Sequence, residues 1–264
     1  MRYIVLYVLL TATVCGTADA LIFADGFESG DTCQWSRTTP QCGFCPDANT
    51  VALWKMDEGS GQILSDASGN GRYLTLGPTS SVEADDPTWA PGRFGSGLFF
   101  NSVSLQFANG DHSNTFPSNQ LTIELWIRPT GGSGNHGSAQ VFTAGFINCA
   151  VITSTQDNDV WIGIGDGSQW SSMTVDAGSV DLDDGAWHYL AMTYDGVTQA
   201  LYIDGSLAGS QPVSTTLASP NDYKVGGRIA NSYLDGWMDE VRLSDVARTA
   251  AEISWSWNGA ASCQ

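Results

Sequence analysis

The stretch from Trp187 to Leu243 alternates apolar and polar residues in short runs, and Asp-Gly pairs separate several of these runs. Alternation with a period of two is typical of a strand that buries one face. Asp-Gly is a favoured two-residue β-hairpin turn, because both positions tolerate a positive φ angle. The pattern therefore predicts antiparallel strands that turn at Asp195-Gly196 and Asp204-Gly205.

The last run of this stretch contains an acid in an apolar position. Strict alternation puts four residues on the face that we expect to meet the core: Trp237, Asp239, Val241 and Leu243. A carboxylate on such a face costs several kcal/mol unless it is paired, hydrogen-bonded or bound to a metal ion. Asp239 is therefore predicted to have a specific partner.

Similar short runs fill the chain from Thr50 onward, separated by turns rich in Gly, Asn, Asp and Ser. In LTIELWIRP (121–129) the alternation is strict, which predicts a sheet with one face on a core. One helix is predicted, where Thr249 and Glu252 form a capping box ahead of a short apolar run. Evenly spaced strands without alternating helices favour an all-β sandwich of two antiparallel sheets with one short C-terminal helix.

The N-terminus has the pattern of a signal peptide. Arg2 supplies a positive start, an apolar run follows, and Ala18-Asp19-Ala20 fits a cleavage site. The expected organisation is a signal peptide, a Cys-containing leader, one folded domain and a tail: 1–20, 21–47, 48–257 and 258–264. We therefore predict an exported protein (secreted, periplasmic or on the cell surface) with no membrane insertion after cleavage.

The chain is strongly acidic, with 10 basic and 28 acidic residues and a formal net charge of −18. Cleavage of the signal removes Arg2 and Asp19, one of each sign, and leaves the net charge unchanged. Nucleic acid and anionic membranes would both be repelled, which argues against either as a partner.

Five cysteines remain after cleavage: Cys33, Cys42, Cys45, Cys149 and Cys263. In an exported protein such residues form disulfides more often than metal sites. The crowding of the first three predicts at least one local bridge, and Cys263 could join the C-terminus to the same segment. The odd count leaves one thiol, for which Cys149 is the candidate. Zinc at Cys42-x-x-Cys45 is the alternative, although no second pair or nearby histidine completes such a site.

Five blocks of sequence resemble the laminin-G-like (concanavalin A-like) jelly-roll family, most of all its bacterial members. They follow the family's order over residues 48–255: VALWKMDEGSGQILSDASGNG, GRFGSGLFFNS, LTIELWIRP, WHYLAMTYDG with LYIDGSLAG, and LDGWMDEVRLSDVARTAAEI. The resemblance implies two antiparallel sheets packed face to face. It also implies a role in binding glycans, proteins or calcium, while some relatives cleave glycans.

The resemblance further implies a structural Ca²⁺ ion on the convex side of the sandwich. There an acid of the last strand meets carbonyls and an acid from the first strand and its following loop. The matching positions in this chain are Asp239, Asp57 and Asp66. Such hard oxygen ligands suit Ca²⁺. The alternative is that Asp239 accepts hydrogen bonds from backbone amides and that Asp66 forms an Asx turn.

The catalytic motifs of glycan-cleaving relatives are missing from the sequence. Those enzymes carry Glu-x-Asp-x-(x)-Glu on a concave strand, whereas LTIELWIRP has the single acid Glu124, opposite its apolar side. His188 lies in a family block where it is expected to be structural, and His112 and His136 lie in turn-rich loops. Since glycoside hydrolysis needs two positioned carboxylates, we expect no catalytic activity. A polysaccharide-active enzyme, either a glycoside hydrolase or a lyase, is the alternative.

A ligand site is predicted at a loop between two tryptophans. Trp161 and Trp170 flank GIGDGSQ, which contains Asp166. Flat aromatic rings stack on sugars and carboxylates hydrogen-bond to hydroxyls, although both rings could instead be packing residues. The expected function is non-catalytic recognition of a glycan or an extracellular or cell-surface protein through rim loops. A structural or adhesion module that binds another protein is the second alternative.

Overall fold

A computed structural model describes residues 43–111, 117, 119–130, 138–145, 149–154, 158–218, 222–227 and 232–259. Within them the chain forms sixteen strands and one α-helix. In chain order the elements are β1 (Thr50–Trp54), β2 (Ile63–Leu64), β3 (Leu74–Leu76), β4 (Thr88–Pro91), β5 (Ser96–Phe100), β6 (Ala108–Asp111), β7 (Leu121–Pro129), β8 (Ser138–Ala144), β9 (Cys149–Ser154), β10 (Asp159–Gly165), β11 (Trp170–Asp176), β12 (His188–Tyr194), β13 (Thr198–Ile203), β14 (Ser206–Pro212), β15 (Asp222–Val225), β16 (Gly236–Ser244) and α1 (Ala250–Trp257). No helix in this described part of the chain is long and apolar enough to cross a membrane.

The strands form two antiparallel sheets. Sheet A has the order β14-β13-β12-β7-β16-β5-β4, with β1 also paired to β16, and sheet B has the order β11-β10-β9-β8-β15-β6-β3-β2. The arrangement confirms the predicted all-β sandwich, and α1 is the predicted C-terminal helix. The predicted turn at Asp204-Gly205 joins β13 to β14, with φ angles of 48° and 75°.

The main core lies between the two sheets. Alternate residues of β7 form one side of it, and Val160, Ile162 and Ile164 of β10 belong to the opposite side. Trp54 of β1 reaches across to sheet B, where its ring centroid lies 6.5 Å from that of Phe142. Each fully buried large apolar side chain of this kind contributes about 1.5–3 kcal/mol to stability. The predicted alternation therefore identifies the inner face of β7 correctly.

A second apolar cluster covers the outer face of sheet A. It joins α1, the segment 43–47 and strand residues of the sheet: Phe44, Leu53, Phe94, Trp126, Tyr189, Ala191, Ala200, Tyr202 and Ile253. The predicted capping box of Thr249 and Glu252 begins α1. Trp257, near the end of α1, stacks on Trp126 with ring centroids 5.1 Å apart.

The outer face of β7 is buried beneath this layer, which corrects the prediction that the sheet has only one face on a core. Glu124 and Trp126 are both 0% exposed. Glu124 accepts hydrogen bonds from Arg242 at 2.7 and 2.8 Å and from the Tyr189 hydroxyl at 2.7 Å. The covering residues come from distant parts of the chain, so the local pattern of β7 carries no sign of them.

A bulge in β16 corrects the predicted faces of its first half. The pairing with β7 shifts register between Asp239 and Arg242, and Glu240 adopts a φ angle of 51°. The residues of β16 that face the core are Met238, Val241 and Leu243. Trp237 and Asp239 lie on the outer face instead, because one extra residue reverses the side that the rest of a strand presents.

Residues 43–47, predicted as the end of the leader, pack on the outer layer of sheet A. The Phe44 N–H donates a hydrogen bond to Glu240 at 2.9 Å, and its ring meets the edge of Tyr189 at 6.1 Å between centroids. Cys45 is disulfide-bonded. The other cysteines predicted to form disulfides lie outside the described residues, so their pairing stays a prediction: Cys33, Cys42 and Cys263.

Candidate functional site

Two tryptophans stack on the outer face of sheet B. Alternate residues of β10 enter the core, so Trp161 points to the opposite side. Trp170 begins β11 opposite Gly165, and its ring lies against Trp161 with centroids 5.1 Å apart and planes inclined by 13°. A Cβ atom on Gly163 would lie 2.4 Å from the Trp170 ring. Glycine at that position therefore makes room for the stack.

Polar side chains continue across the same face. Strand register places Lys224 of β15 opposite Thr143 of β8 and Asn109 of β6. Their neighbours along the strands face the core, so these three residues face outward. The Lys224 Nζ atom lies 4.8 Å from the centroid of the Phe107 ring. Thr143 is only 2% exposed and the Asn109 side-chain amide donates a hydrogen bond to the Gly77 carbonyl at 2.6 Å. Lys224 is therefore the polar group of this set that adds to the aromatic platform, as a few polar groups do in ligand sites.

Asp166 lies in the loop that joins β10 to β11. Its Oδ1 atom accepts hydrogen bonds from the backbone N–H groups of Gln169 at 2.7 Å and Ser168 at 2.8 Å. These two bonds lower the pKa of Asp166, so its carboxyl group is charged at neutral pH. One hairpin therefore carries all three predicted ligand residues. Trp161 and Trp170 touch each other, whereas Asp166 lines a cleft at the rim of the sandwich.

Asp239, the main predicted metal ligand, is completely buried on the outer side of sheet A. Its Oδ2 atom accepts a hydrogen bond from the Phe94 N–H at 2.8 Å, as the backbone-amide alternative expects. Its Oδ1 atom is buried and has no hydrogen-bond partner among the described residues. Burial, with a contribution from the carboxylates of Glu240 and Asp57, raises the pKa of Asp239 to about 9.

Two further acids lie near Asp239. Asp57 follows β1 and accepts a hydrogen bond from the Ser96 N–H at 3.1 Å, and burial raises its pKa. Glu240 lies 3.7 Å from the Lys55 ammonium group, yet burial still raises its pKa to about 7. The charged forms of these carboxyl groups are therefore poorly stabilised by the surrounding protein.

Asp66 makes a different set of contacts. Its Oδ1 atom accepts hydrogen bonds from the N–H groups of Leu53 at 3.0 Å and Ser68 at 2.9 Å, and Oδ2 accepts one from the Arg72 N–H at 2.9 Å. Burial raises the pKa of Asp66, but these bonds lower it by more. Asp66 is thus engaged with backbone amides, as the Asx-turn alternative expects.

Of the three acids predicted to bind Ca²⁺, two have surroundings that suit a cation. In the described part of the chain, one group of three acids has oxygens within 4.8 Å of one another: Glu83, Asp85 and Asp86, on the loop after β3. That acidic run is plain in the sequence but was not predicted as a site, and the three predicted acids do not form such a group. A cation would relieve the unpaired, buried Oδ1 of Asp239 and stabilise the charged form of Asp57. Asp239 and Asp57 therefore fit Ca²⁺, whereas Asp66 does not.

The residues considered for catalysis have structural contacts. Glu124 is buried against Arg242, as described above. His188 is 5% exposed, with Nδ1 3.0 Å from Asp204 and Nε2 3.2 Å from Asp184. Burial lowers the pKa of His188, but the two carboxylates raise it by more. The remaining histidines, His112 and His136, lie outside the described residues.

Comparison with known sequences gives one family and one distant relative. The model of a family described as the Concanavalin A-like lectin/glucanases superfamily matches residues 101–254, which is more than half of the chain. Human pappalysin-1 is 29% identical over 158 residues, which cover 52% of this chain and 10% of that protein. The chain therefore spans about a tenth of the length of this curated relative.

Three solved structures share the fold at low sequence identity. Domain 4 of AbnA, a GH43 extracellular arabinanase from Geobacillus stearothermophilus in complex with arabinotriose, matches 79% of this chain and 98% of its own, with a TM-score of 0.63 and 20% identity. The binding domain of Paraclostridial Mosquitocidal Protein 1 has a TM-score of 0.64 at 15% identity, over 80% and 52% of the two chains. The botulinum neurotoxin serotype G binding domain has a TM-score of 0.63 at 16% identity, over 79% and 50%. This chain thus spans about half the length of the two toxin domains, and the likeness shows the fold alone.

Proposed function

The chain belongs to the Concanavalin A-like lectin/glucanases superfamily, and on that premise we propose that it is an exported, non-catalytic module that binds glycan on the outer face of sheet B. The observation that carries the proposal is the stack of Trp161 and Trp170 on an otherwise polar face. Indole rings offer flat apolar surfaces for the C–H groups of a sugar, while neighbouring polar groups hydrogen-bond to its hydroxyls. The signal-peptide pattern of residues 1–20 supports export.

The surroundings of the two rings support a binding role over a packing role. Trp161 and Trp170 are only partly buried, whereas Trp54 and Trp126 are 0% exposed. Neither Trp161 nor Trp170 belongs to the two apolar clusters of the described residues. Their mutual contact covers one face of each ring and holds the pair rigid, which lowers the entropy cost of binding.

Structures that share the fold also support recognition of a saccharide or receptor. The arabinanase domain was solved with arabinotriose, and the two toxin structures are binding domains. We therefore place a glycan, and not a nucleotide or a lipid, on the tryptophan stack. The net charge of −18 supports the same choice, because it disfavours polyanionic partners.

The proposal that the chain binds glycan without hydrolysing it rests on the burial and the contacts of Glu124. Glycoside hydrolysis needs two carboxyl groups that flank the substrate. Glu124, the single acid of β7, which lacks the catalytic motif of glycan-cleaving relatives, is buried and bonded to Arg242. Assays for reducing sugars and for unsaturated products on a polysaccharide panel test the enzyme alternative. Steady product release by the purified protein would contradict the non-catalytic role.

We also propose a structural Ca²⁺ ion held by Asp239 and Asp57. Bound Ca²⁺ would add to the positive charges of Arg93, which interacts with Asp239, and of Lys55, which interacts with Asp57. Asp239 offers its unpaired Oδ1 atom, and Asp57 offers a second carboxylate nearby. Asp66 stays outside the ligand set, because both of its oxygens accept hydrogen bonds from backbone amides.

A glycan array followed by calorimetry tests the binding role. We expect the wild-type protein to bind at least one polysaccharide class, and Trp161→Ala and Trp170→Ala each to weaken that binding about tenfold or more. Trp255→Ala is the matched control, since Trp255 is a tryptophan on α1 that is 54% exposed. An array without hits, or equal losses in Trp255→Ala and Trp170→Ala, would contradict the proposal.

A further inference from the structure

A cleft of about 450 Å³ lies at the rim of the sandwich, beside the loop between β10 and β11. Its lining residues are Asn119, Asp166, Gly196, Ser214, Thr215 and Thr216. Three of these side chains end in hydroxyls, one ends in an amide and one in a carboxylate. The volume lies in the range of about 300–1,000 Å³ that is typical of small-molecule sites, but the lining is unusually polar for such a site.

Tyr194 holds two walls of the cleft in place. Its hydroxyl oxygen lies 2.7 Å from the Thr215 carbonyl and 2.9 Å from the Gly196 carbonyl, and it accepts a hydrogen bond from the Thr215 N–H at 3.0 Å. Tyr194 itself is 0% exposed. The cleft is therefore formed before a ligand arrives, which reduces the entropy lost on binding.

The loop 166–169 connects the cleft to the tryptophan stack. Asp166 opens the loop and lines the cleft, and Trp170 follows directly after it in β11. The base of the loop is tied to the opposite wall, because the Ala218 N–H donates a hydrogen bond to the Gly165 carbonyl at 3.2 Å. One short, anchored loop therefore joins Asp166 of the cleft to Trp170 of the stack.

We propose that this cleft is a second subsite for the glycan, and that it accepts a neutral sugar unit and excludes a uronic acid. The inference rests on the proposed glycan-binding function. Each sugar hydroxyl can both donate and accept a hydrogen bond, which matches the hydroxyl and amide groups of the lining. A glycan chain on Trp161 and Trp170 extends across the loop 166–169 into the cleft.

Asp166 provides the discrimination by charge. Its carboxylate is ionised at neutral pH, since the amides of Gln169 and Ser168 lower its pKa. The described residues that line the cleft include no lysine or arginine. A sugar carboxylate in the cleft would therefore meet a like charge with no cation to balance it, whereas a sugar hydroxyl can donate a hydrogen bond to Asp166.

Matched oligosaccharide pairs test this inference on the full mature chain. The array carries neutral hexose oligosaccharides and their counterparts of the same linkage with C6 carboxylates. We expect the tightest neutral glycan to bind at least about tenfold more tightly than its carboxylated counterpart. Asp166→Asn retains an acceptor for the loop amides, removes the charge, and should reduce this ratio to about twofold. Lower salt should enlarge the wild-type ratio, since less screening strengthens the repulsion.

A second variant probes the hydroxyl lining. Thr215→Val removes one hydroxyl at nearly constant volume and should weaken binding of the neutral glycan about fivefold. Thr88→Val on β4 is the control, because Thr88 is an exposed threonine at the opposite edge of sheet A from β14, the strand that precedes Thr215. Circular dichroism confirms that each variant is folded before its affinity is compared.

The outcomes separate the subsite from the proposed function. If no oligosaccharide of either class binds, or if Trp170→Ala binds as tightly as wild type, the glycan-binding proposal fails and the subsite fails with it. If Trp170→Ala weakens binding while Asp166→Asn and Thr215→Val leave the affinity and the ratio unchanged, the subsite is wrong and the binding proposal stands. A wild-type preference for the carboxylated member of a pair would also overturn the inference.

Discussion

The outer faces of the two sheets carry similar residues but differ in what lies over them. On sheet A, Trp126 and Glu124 point outward from β7 and are fully covered by α1 and residues 43–47. On sheet B, Trp161 and Lys224 also point outward, and neither belongs to an apolar cluster. An outward aromatic ring therefore has a structural role on one sheet and a proposed binding role on the other. The covering layer, and not residue type or strand position, separates the two cases.

The layer over sheet A also accounts for the buried charges of that face. Arg242 bonds to Glu124 and donates a hydrogen bond to the Cys45 carbonyl at 3.1 Å. Arg248 lies 3.1 Å from Glu124 and 2.9 Å from Asp47. The ionic network thus connects the sheet to the segment that covers it. A buried network of this kind is costly to disrupt, because each missing partner leaves a charge unpaired in a low-dielectric environment.

The largest expected contrast is between two tryptophans on the two outer faces. Trp126→Ala should lower the free energy of unfolding by about 4 kcal/mol, because it leaves a cavity beneath α1. Trp161→Ala should lower it by about 1 kcal/mol or less, because that ring is not enclosed in a core. Urea unfolding followed by circular dichroism measures both values. Equal losses would mean that the face of sheet B is packed like that of sheet A.

A second contrast concerns acids on the two faces. Glu124→Gln should lower the free energy of unfolding by about 3 kcal/mol, since Arg242 and Arg248 lose their shared negative charge in a buried position. Asp111→Asn, an exposed acid of sheet B, should change it by no more than about 0.5 kcal/mol. The midpoints of urea unfolding curves, compared between proteins whose curves have the same slope, measure both changes in stability. A Glu124→Gln protein as stable as wild type would contradict the role given to the network.

Calcium should act on the covered face alone. At a hundredfold excess over its Kd, Ca²⁺ should raise the free energy of unfolding by about 2.7 kcal/mol, and EDTA should reverse the gain. Asp239→Asn should abolish this response, whereas Asp66→Asn should retain most of it. Thermal unfolding with Ca²⁺ or EDTA provides the measurement. An identical melting curve in both conditions would rule out the ion. Loss of the response in Asp66→Asn would mean that Asp66 is one of the Ca²⁺ ligands.

The smallest expected effect lies at the end of the sandwich, at His188. Its folded-state pKa is raised above 6.5, so its stabilising contribution is fully present below pH 6.5 and is lost as the pH rises through the folded-state pKa. His188→Asn should therefore lower the free energy of unfolding by about 1 kcal/mol at pH 5.5, after allowance for solvent screening, and by less at pH 9. Unfolding at the two pH values checks this. A larger loss at pH 9 would mean that the histidine is held in its neutral form.

Glycan affinity of His188→Asn provides the control for that experiment. The histidine lies between Asp184 and Asp204 and does not line the cleft or the tryptophan stack. Affinity should therefore match that of wild type at both pH values. A change in affinity without a change in stability would connect this histidine to the binding face.

The fold was predictable because its signals are local. The Asp204-Gly205 turn needs two consecutive positive φ angles, and that dipeptide is well suited to them. The inner face of β7 follows from a period of two. The outer face does not, because Phe44 and Ile253 cover it from opposite ends of the described chain. A pattern within nine residues of one strand carries no information about such distant contacts.

The candidate site was predictable only in outline. Trp161, Asp166 and Trp170 could be grouped as a candidate site because they lie close in sequence, and Gly163, which lies against the Trp170 ring, is the local sign of the stack. The bulge of β16 was not predictable from alternation. A positive φ angle is usually signalled by a glycine, but position 240 is a glutamate. That one residue decides whether Asp239 faces the core or the outer layer. The hydroxyls of the cleft come from the consecutive residues Ser214, Thr215 and Thr216, but only the fold brings them together with Asn119 and Asp166.

The attachment of residues 43–47 has a mechanical consequence. Tension applied to the chain at Gly43 would reach Glu240 and Arg242 first, through the Phe44 and Cys45 contacts. Both residues belong to β16, which has strands paired along both sides within sheet A. The load would therefore enter the molecule through sheet A, whereas Trp161 and Trp170 belong to sheet B. Under a pull from that side, the first strand to bear the load would be β16 of the covered sheet.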